Sequence, residues 1–151
     1  MLDHYFQWNE ALVQEYFPEG SEGRFAFLPV DDDEIVALAE DWDICAAEDA
    51  VDDFVGTVRA TIRGSQGQFA ILSRWAKHWR DRNDHDTPPY VAGLAFCVLA
   101  ASRMEGDDAV SPNNYYDRLN KLLGGSGEEK QPENFDLVQL AWEDLSTWLD
   151  T

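Results

Sequence analysis

The segment just before Thr87 holds the side chains of this sequence that are best suited to binding a metal ion. It contains, in order, Asp81, Asp84, His85 and Asp86. Carboxylate oxygens together with one imidazole are donors that suit Mn²⁺ or Zn²⁺. The same residue types are also ordinary turn formers beside a helix cap. We expect a turn here and no bound metal or cofactor, and we keep a small metal-dependent enzyme as an alternative.

The sequence lacks the short motifs that position catalytic groups in common enzymes. It has no GxxxxGKS or GxxxxGKT phosphate loop, no GxGxxG turn, no HExxH zinc motif, no GxSxG nucleophile turn and no EF-hand loop. The glycine-rich residues 124–127 are not followed by the Lys-Ser or Lys-Thr pair of a phosphate loop. His4 beside Asp3 is a weaker metal candidate than residues 81–86. We therefore expect a domain without catalytic residues.

Cys45 and Cys97 lie far apart and lack the CxxC spacing of redox and metal sites. We expect both to be reduced and buried as small apolar side chains. The longest apolar run, residues 91–101, is about half as long as a bilayer requires. No signal-peptide pattern opens the chain. Together these features favour a cytoplasmic protein.

Charge is distributed unevenly along the chain, whose formal net charge is −19. Residues 1–57 contain 16 acidic side chains and one basic one, Arg24, whereas residues 58–82 carry a net +5 and residues 83–151 a net −9. An acidic surface repels nucleic acids and anionic membranes, so we expect direct binding to neither. Three origins of the acidity stay open: adaptation to high salt, imitation of a phosphate backbone, and a generic solvated surface that aids solubility.

Apolar residues recur at three- and four-residue spacing along most of the chain, a pattern that predicts helices. We expect residues 1–151 to form a single all-α domain, an orthogonal bundle of about six to seven helices with one short extended segment near residues 24–30. The predicted helices cover residues 5–17, 31–40, 46–63, 68–82, 88–104, 111–123 and 135–149.

Several helix ends have recognisable capping residues. Asp31 and Glu34 have the spacing of a capping box, with Asp in place of the usual Ser or Thr. Thr87 and the two prolines after it predict another helix start, because proline is tolerated in a first turn. Gly124 suits the position just after a helix end. The helix 88–104 is apolar on all sides, so we expect it at the centre of the core.

Residues 68–82 form the one predicted helix with a basic surface. Its two tryptophans fall on its apolar stripe, so we expect them to pack in the core rather than stack on nucleic-acid bases. We expect its basic side chains to pair with the acidic segments 31–34 and 40–53. Residues 64–67, between this helix and the one before it, predict a turn.

Residues 24–30, RFAFLPV, are the best strand candidate. An isolated strand leaves backbone N–H and C=O groups unpaired, and a partner strand can add to such an edge. A missed second strand, or an extended crossing over the helices, are the alternatives. The candidate partner-binding residues are Arg24, Phe25, Phe27, Asp31, Asp32, Asp33, Glu34, Asp41 and Asp43.

Four stretches of the sequence resemble a known kind of bacterial protein. They are Trp8-Asn9, PPYVAGLAFCVLAASRM (88–104), SPNNYYDRLNKLLG (111–124) and FDLVQLAWEDLSTWL (135–149). In pattern they resemble the N-terminal module of long, mostly uncharacterised bacterial proteins from gene clusters of anti-phage-defence type. The resemblance runs through nearly the whole chain and implies no catalytic residues.

These observations favour a non-enzymatic helical protein-interaction or scaffold domain of a bacterial multi-component system. The acidity indicates a protein partner with a basic surface. An acidic DNA mimic that inhibits a basic nucleic-acid-binding protein is the main alternative from another class. Such a mimic requires carboxylates in rows at phosphate-like spacing.

Overall fold

The computed structural model describes residues 2–17, 28–64, 67–69, 71, 74–75, 88–104, 112–124, 132 and 135–150. Within these ranges the chain forms six α-helices: α1 (Leu2–Tyr16), α2 (Asp32–Asp41), α3 (Ala50–Ile62), α4 (Val91–Ser102), α5 (Pro112–Leu122) and α6 (Asp136–Asp150). A 3₁₀ turn, Ala47–Asp49, leads into α3, and two short antiparallel strands follow it, β1 (Arg63–Gly64) and β2 (Gly67–Gln68). The predicted all-α class is confirmed.

The helix α4 lies at the centre of the bundle, as its apolar sequence predicted. Nine of its 12 residues are buried, including Leu94, Phe96 and Leu99. It contacts α1, α3, α5 and α6, so its sides face other helices rather than water. Because full burial of one Leu or Phe side chain is worth about 1.5–3 kcal/mol, much of the stability of the domain depends on this helix.

The start of α4 differs from the prediction. The prolines were expected in its first turn, but the helix begins at Val91. In a longer helix the Ala92 N–H would bond to the Pro88 carbonyl oxygen, but both groups are bonded to the side chain of Asn9 in α1 instead. Asn9 Nδ2 donates to the Pro88 carbonyl oxygen at 2.8 Å, and Asn9 Oδ1 accepts from the Ala92 N–H at 2.8 Å. The predicted cap, Thr87, lies outside the described residues. A side chain from a distant helix therefore caps the start of α4.

The chain reverses direction after α3, as predicted for residues 64–67. Gly64 pairs with Gly67 across β1 and β2. The predicted helix start at Gln68 is wrong, because Gln68 belongs to β2 and Phe69 after it has a φ of 63°, in the left-handed region. The ring of Phe69 is buried and meets that of Phe135 edge-on, with centroids 6.1 Å apart. Burial of the ring offsets the unfavourable backbone conformation.

Only part of the predicted basic helix 68–82 can be compared with the structure. Ile71, Arg74 and Trp75 have helical backbone, and the residues from 76 to 82 lie outside the described ranges. Trp75 packs against the core as predicted, with its ring 5.1 Å from that of Tyr5.

The described end of the predicted strand is not a strand. Leu28 and Val30 have buried side chains, and the Val30 N–H donates to the Leu28 carbonyl oxygen at 2.8 Å. The Val30 N–H is therefore bonded within the segment itself, whereas in a strand it could bond to a neighbouring strand. Residues 24–27 lie outside the described part of the chain. Residues 28–30 therefore form no strand, and Leu28 and Val30 pack in the core just before α2 while Pro29 between them is exposed.

Two arginines of α3 and β1 hold the end of α5. Arg59 and Arg63 donate to the carbonyl oxygens of Leu122 and Leu123, at 3.4 and 2.6 Å. Positive charge at this end of a helix complements the helix dipole. Gly124 follows with a φ of 93°, and a Cβ there would lie 3.0 Å from the Arg63 guanidinium. The predicted role of Gly124 at the helix end is confirmed.

Candidate functional site

The surface formed by residues 31–53 carries the highest density of negative charge in the described part of the chain. We call this stretch the acidic segment. It contains 11 carboxylates and no Lys, Arg or His. Nine of the carboxylates are exposed: Asp31, Asp32, Asp33, Glu40, Asp41, Asp43, Glu48, Asp49 and Asp52. Because α2, the 3₁₀ turn and α3 pack against one another, this charge is concentrated in one compact region.

Little positive charge from the described residues offsets the acidic segment. Among the described residues, the one ion pair found between a Lys or Arg and a carboxylate of the acidic segment joins Arg103, just after α4, to Asp32 at 3.0 Å. Both side chains are well exposed, and such pairs add little stability. The expected partners, the bases of residues 68–82, lie largely outside the described ranges. Arg59 and Arg63 are instead directed to the end of α5.

The predicted partner-binding residues divide into three groups. Asp31, Asp32, Asp33, Asp41 and Asp43 have exposed side chains. Glu34 is half-buried and accepts a 2.8 Å hydrogen bond from the Tyr16 hydroxyl, and burial and Glu34 raise the pKa of Tyr16. Arg24, Phe25 and Phe27 lie outside the described residues.

Asp31 also has a structural role. Its Oδ1 accepts from the Glu34 N–H at 2.9 Å, which confirms the predicted cap of α2. Because an N-cap is worth about 0.5–2 kcal/mol, changing Asp31 would confuse a test of binding with a loss of stability. Asp33 and Glu48 are exposed carboxylates better suited to such a test.

Trp42 was missed by the sequence analysis. Its side chain is 41% exposed, although it follows Ile35 by seven residues and would join the buried stripe of α2 if the helix continued. The helix ends at Asp41 instead. A signal was present in the sequence, because Trp42 lies between two aspartates, and charged residues on both sides favour a surface position.

The backbone at the end of α2 determines which way Trp42 points. The Ile44 N–H donates to the Ala39 carbonyl oxygen at 3.0 Å, and the Asp43 N–H to that of Glu40 at 3.4 Å. This is the pair of bonds of a Schellman motif, whose left-handed residue is Asp43 at a φ of 50°. Ile44 turns inward and packs on the core. The Trp42 side chain is therefore exposed, on a turn whose backbone is held by these two hydrogen bonds.

Replacing Asp43 with glycine should stabilise the fold, by up to about 1 kcal/mol, because glycine adopts left-handed backbone without steric cost. Asp43→Asn is the control, since it removes the charge and keeps a Cβ. We expect its effect to stay within about 0.5 kcal/mol. Urea titration measures both. Equal effects would show that charge, and not the backbone, is what matters at this position.

A second polar cluster joins α1 to α3. His4 Nε2 donates to Oδ2 of Asp53 at 2.6 Å, and Trp8 Nε1 donates to the same oxygen at 2.9 Å. His4 Nδ1 lies 3.0 Å from Gln7 Oε1. His4, a weak metal candidate in the sequence, is therefore part of a contact between two helices. Asp53 and Glu34 of the acidic segment are thus both hydrogen-bonded to side chains of α1.

The two cysteines lack the character of nucleophiles. Both are free, and Cys97 is buried as predicted, whereas Cys45 is only half-buried. Burial raises the pKa of the Cys45 thiol, and the nearby carboxylates of Asp53 and Asp49 raise it further. Burial raises the pKa of Cys97 to about 12. A reactive cysteine requires the opposite environment, one that favours the thiolate, so the His4–Asp53 contact has no activated thiol beside it.

The predicted turn with Asp81, Asp84, His85 and Asp86 lies outside the described residues. Within the described ranges, no three His, Cys, Asp or Glu side chains are grouped so that they could hold a metal ion. No helix in these ranges has the length and apolar character needed to cross a bilayer.

No protein-family model matches the sequence, and comparisons with curated proteins and with solved structures likewise give no match.

Proposed function

We propose that this chain is a non-enzymatic protein-interaction domain of a bacterial multi-component system in the cytoplasm, and that the acidic segment receives a protein partner with a basic surface. The observation that supports this most is the set of nine exposed carboxylates within residues 31–53, a stretch that contains no basic residue. A folded domain gains no stability from such crowding, because like charges repel one another.

Concentrated charge of one sign acts mainly on the rate of encounter. It steers an oppositely charged partner during diffusion and can raise association rates about 10- to 1000-fold, an effect that falls steeply with ionic strength. At about 0.15 M salt the Debye length is about 8 Å, so a partner senses the acidic segment only on close approach. The same charge repels nucleic acids and anionic membranes, which favours a protein as the partner.

The test compares two pairs of charge reversals. Asp33→Lys with Glu48→Lys alters the acidic segment, and Asp136→Lys with Glu143→Lys makes the same change of charge on exposed residues of α6. After a partner has been identified by pull-down from the native host, stopped-flow mixing measures its association rate at low and high salt. We expect the first pair to slow association about tenfold at low salt, with little change in dissociation.

The control pair should slow association much less. Equal slowing by both pairs would mean that only the total charge matters and that the acidic segment is not the docking region. A change confined to the dissociation rate would also contradict the proposal, because steering acts on encounter.

A further inference from the structure

Trp42 differs from the other large apolar side chains that are exposed in the described part of the chain. Those are Phe6 and Leu140, at 38% and 50% exposure. Neither has an acidic residue directly next to it, whereas Trp42 lies between Asp41 and Asp43. A single exposed apolar residue needs no explanation, but an indole in the middle of the acidic segment combines an aromatic face with negative charge.

These two features together select one kind of ligand group. The face of an indole ring attracts cations, and tryptophan does so better than tyrosine or phenylalanine. Arginine is the cation best suited to it, because its planar guanidinium stacks on aromatic rings and is weakly hydrated, while its N–H groups remain available to carboxylates. The ammonium group of lysine is a compact, strongly hydrated charge and does not stack.

The turn that carries Trp42 is ordered before any partner arrives. The two backbone bonds of the Schellman motif and the inward packing of Ile44 hold it in place. Binding at an ordered position loses less conformational entropy than binding at a loose loop. Tryptophan and arginine are also enriched among hot-spot residues, the interface positions at which truncation to alanine weakens binding most.

We propose that Trp42 stacks against an arginine side chain of the basic partner, while Asp41 and Asp43 attract the same guanidinium. This inference rests on the proposed function and adds to it the chemistry of the contact. A second copy of the chain is a poor occupant, because each copy carries a net charge of −19 and repels the other.

The experiment uses two short peptides of equal charge, one with four arginines and one with four lysines, each spaced by glycines. The full chain is labelled with 5-fluorotryptophan, and the resonance of Trp42 among the six tryptophans is assigned by its loss in Trp42→Leu. Fluorine NMR titration then reports the affinity of each peptide and the residue that senses it. We expect the Trp42 resonance to move most, and the arginine peptide to bind about two- to fivefold more tightly than the lysine peptide.

Three variants and one control separate the effect of the ring from that of the charge. Trp42→Leu should bring the ratio of the two peptide affinities, arginine over lysine, close to one. Trp42→Phe should retain part of the preference for arginine. The double change Asp41→Asn with Asp43→Asn should weaken both peptides alike. The control is Phe6→Leu, which removes an exposed aromatic ring of α1 that has no acidic neighbour in sequence, and it should leave the preference intact.

The outcomes distinguish this inference from the function on which it rests. If both peptides bind equally and the Trp42 resonance does not move, the arginine contact is overturned, while the acidic segment still attracts basic chains. If Phe6→Leu abolishes the preference as completely as Trp42→Leu, the contact lies elsewhere and the inference is also overturned. If neither peptide binds, both the inference and the proposed function are overturned.

Discussion

Replacing Leu94 with alanine should lower the free energy of unfolding by about 2–5 kcal/mol. Leu94 is 0% exposed and lies in α4, which is surrounded by α1, α3, α5 and α6. Removing its branched end leaves a cavity that four packed helices can fill only in part, so the lost burial is added to the cost of the cavity. Urea titration of the purified chain measures the difference.

The chain provides a matched control for this change. Leu140 lies in α6 and is half exposed, so Leu140→Ala removes the same atoms from a residue that already contacts water. We expect it to change stability by less than about 0.5 kcal/mol. If Leu94→Ala costs under about 1 kcal/mol, or no more than Leu140→Ala, then α4 is not the helix on which the core depends.

The features that could be predicted are those determined by neighbours in sequence. The position of α4 follows from its apolar residues, because a helix without a polar side must be covered on all sides. The cap at Asp31 follows from the Glu34 three residues later, and the helix end at Gly124 from the need for a left-handed residue. Each of these depends on only a few consecutive residues.

The features that were missed depend on contacts between residues far apart in sequence. Asn9 and Pro88 are separated by 79 positions, and no local pattern connects them. The contact of His4 with Asp53 and the approach of Arg63 to the end of α5 are of the same kind. The burial of Leu28 and Val30 also depends on the assembled core.

The candidate site was predicted in its charge but not in its shape. Sequence alone marks Asp31 to Asp33, Asp41 and Asp43 as acidic, and these side chains are exposed. Trp42 follows the predicted end of this helix at residue 40, and the sequence assigned it no role. Its exposure depends on the left-handed turn at Asp43, for which an aspartate is a weaker signal than glycine.

Replacing Asn9 with alanine should lower the free energy of unfolding by about 2–6 kcal/mol, although the residue is polar. Its side chain is the partner of both the Pro88 carbonyl and the Ala92 N–H, and the residue is only 2% exposed. Without it two buried backbone groups lose their hydrogen bonds, and each such loss costs about 1–3 kcal/mol. Amide hydrogen exchange should show the loss directly as faster exchange at Ala92.

Gln14→Ala is the matched control, because it removes an amide side chain from an exposed position on the same helix, where it bonds only to Glu10. We expect a change within about 0.5 kcal/mol and no effect at Ala92. The chain could also adapt to the loss of Asn9 by bonding Ala92 directly to Pro88, which would extend α4 backward by two residues. In that case Ala92 would stay protected, Asn9→Ala would cost little more than Gln14→Ala, and Asn9 would not be what sets the start of the helix.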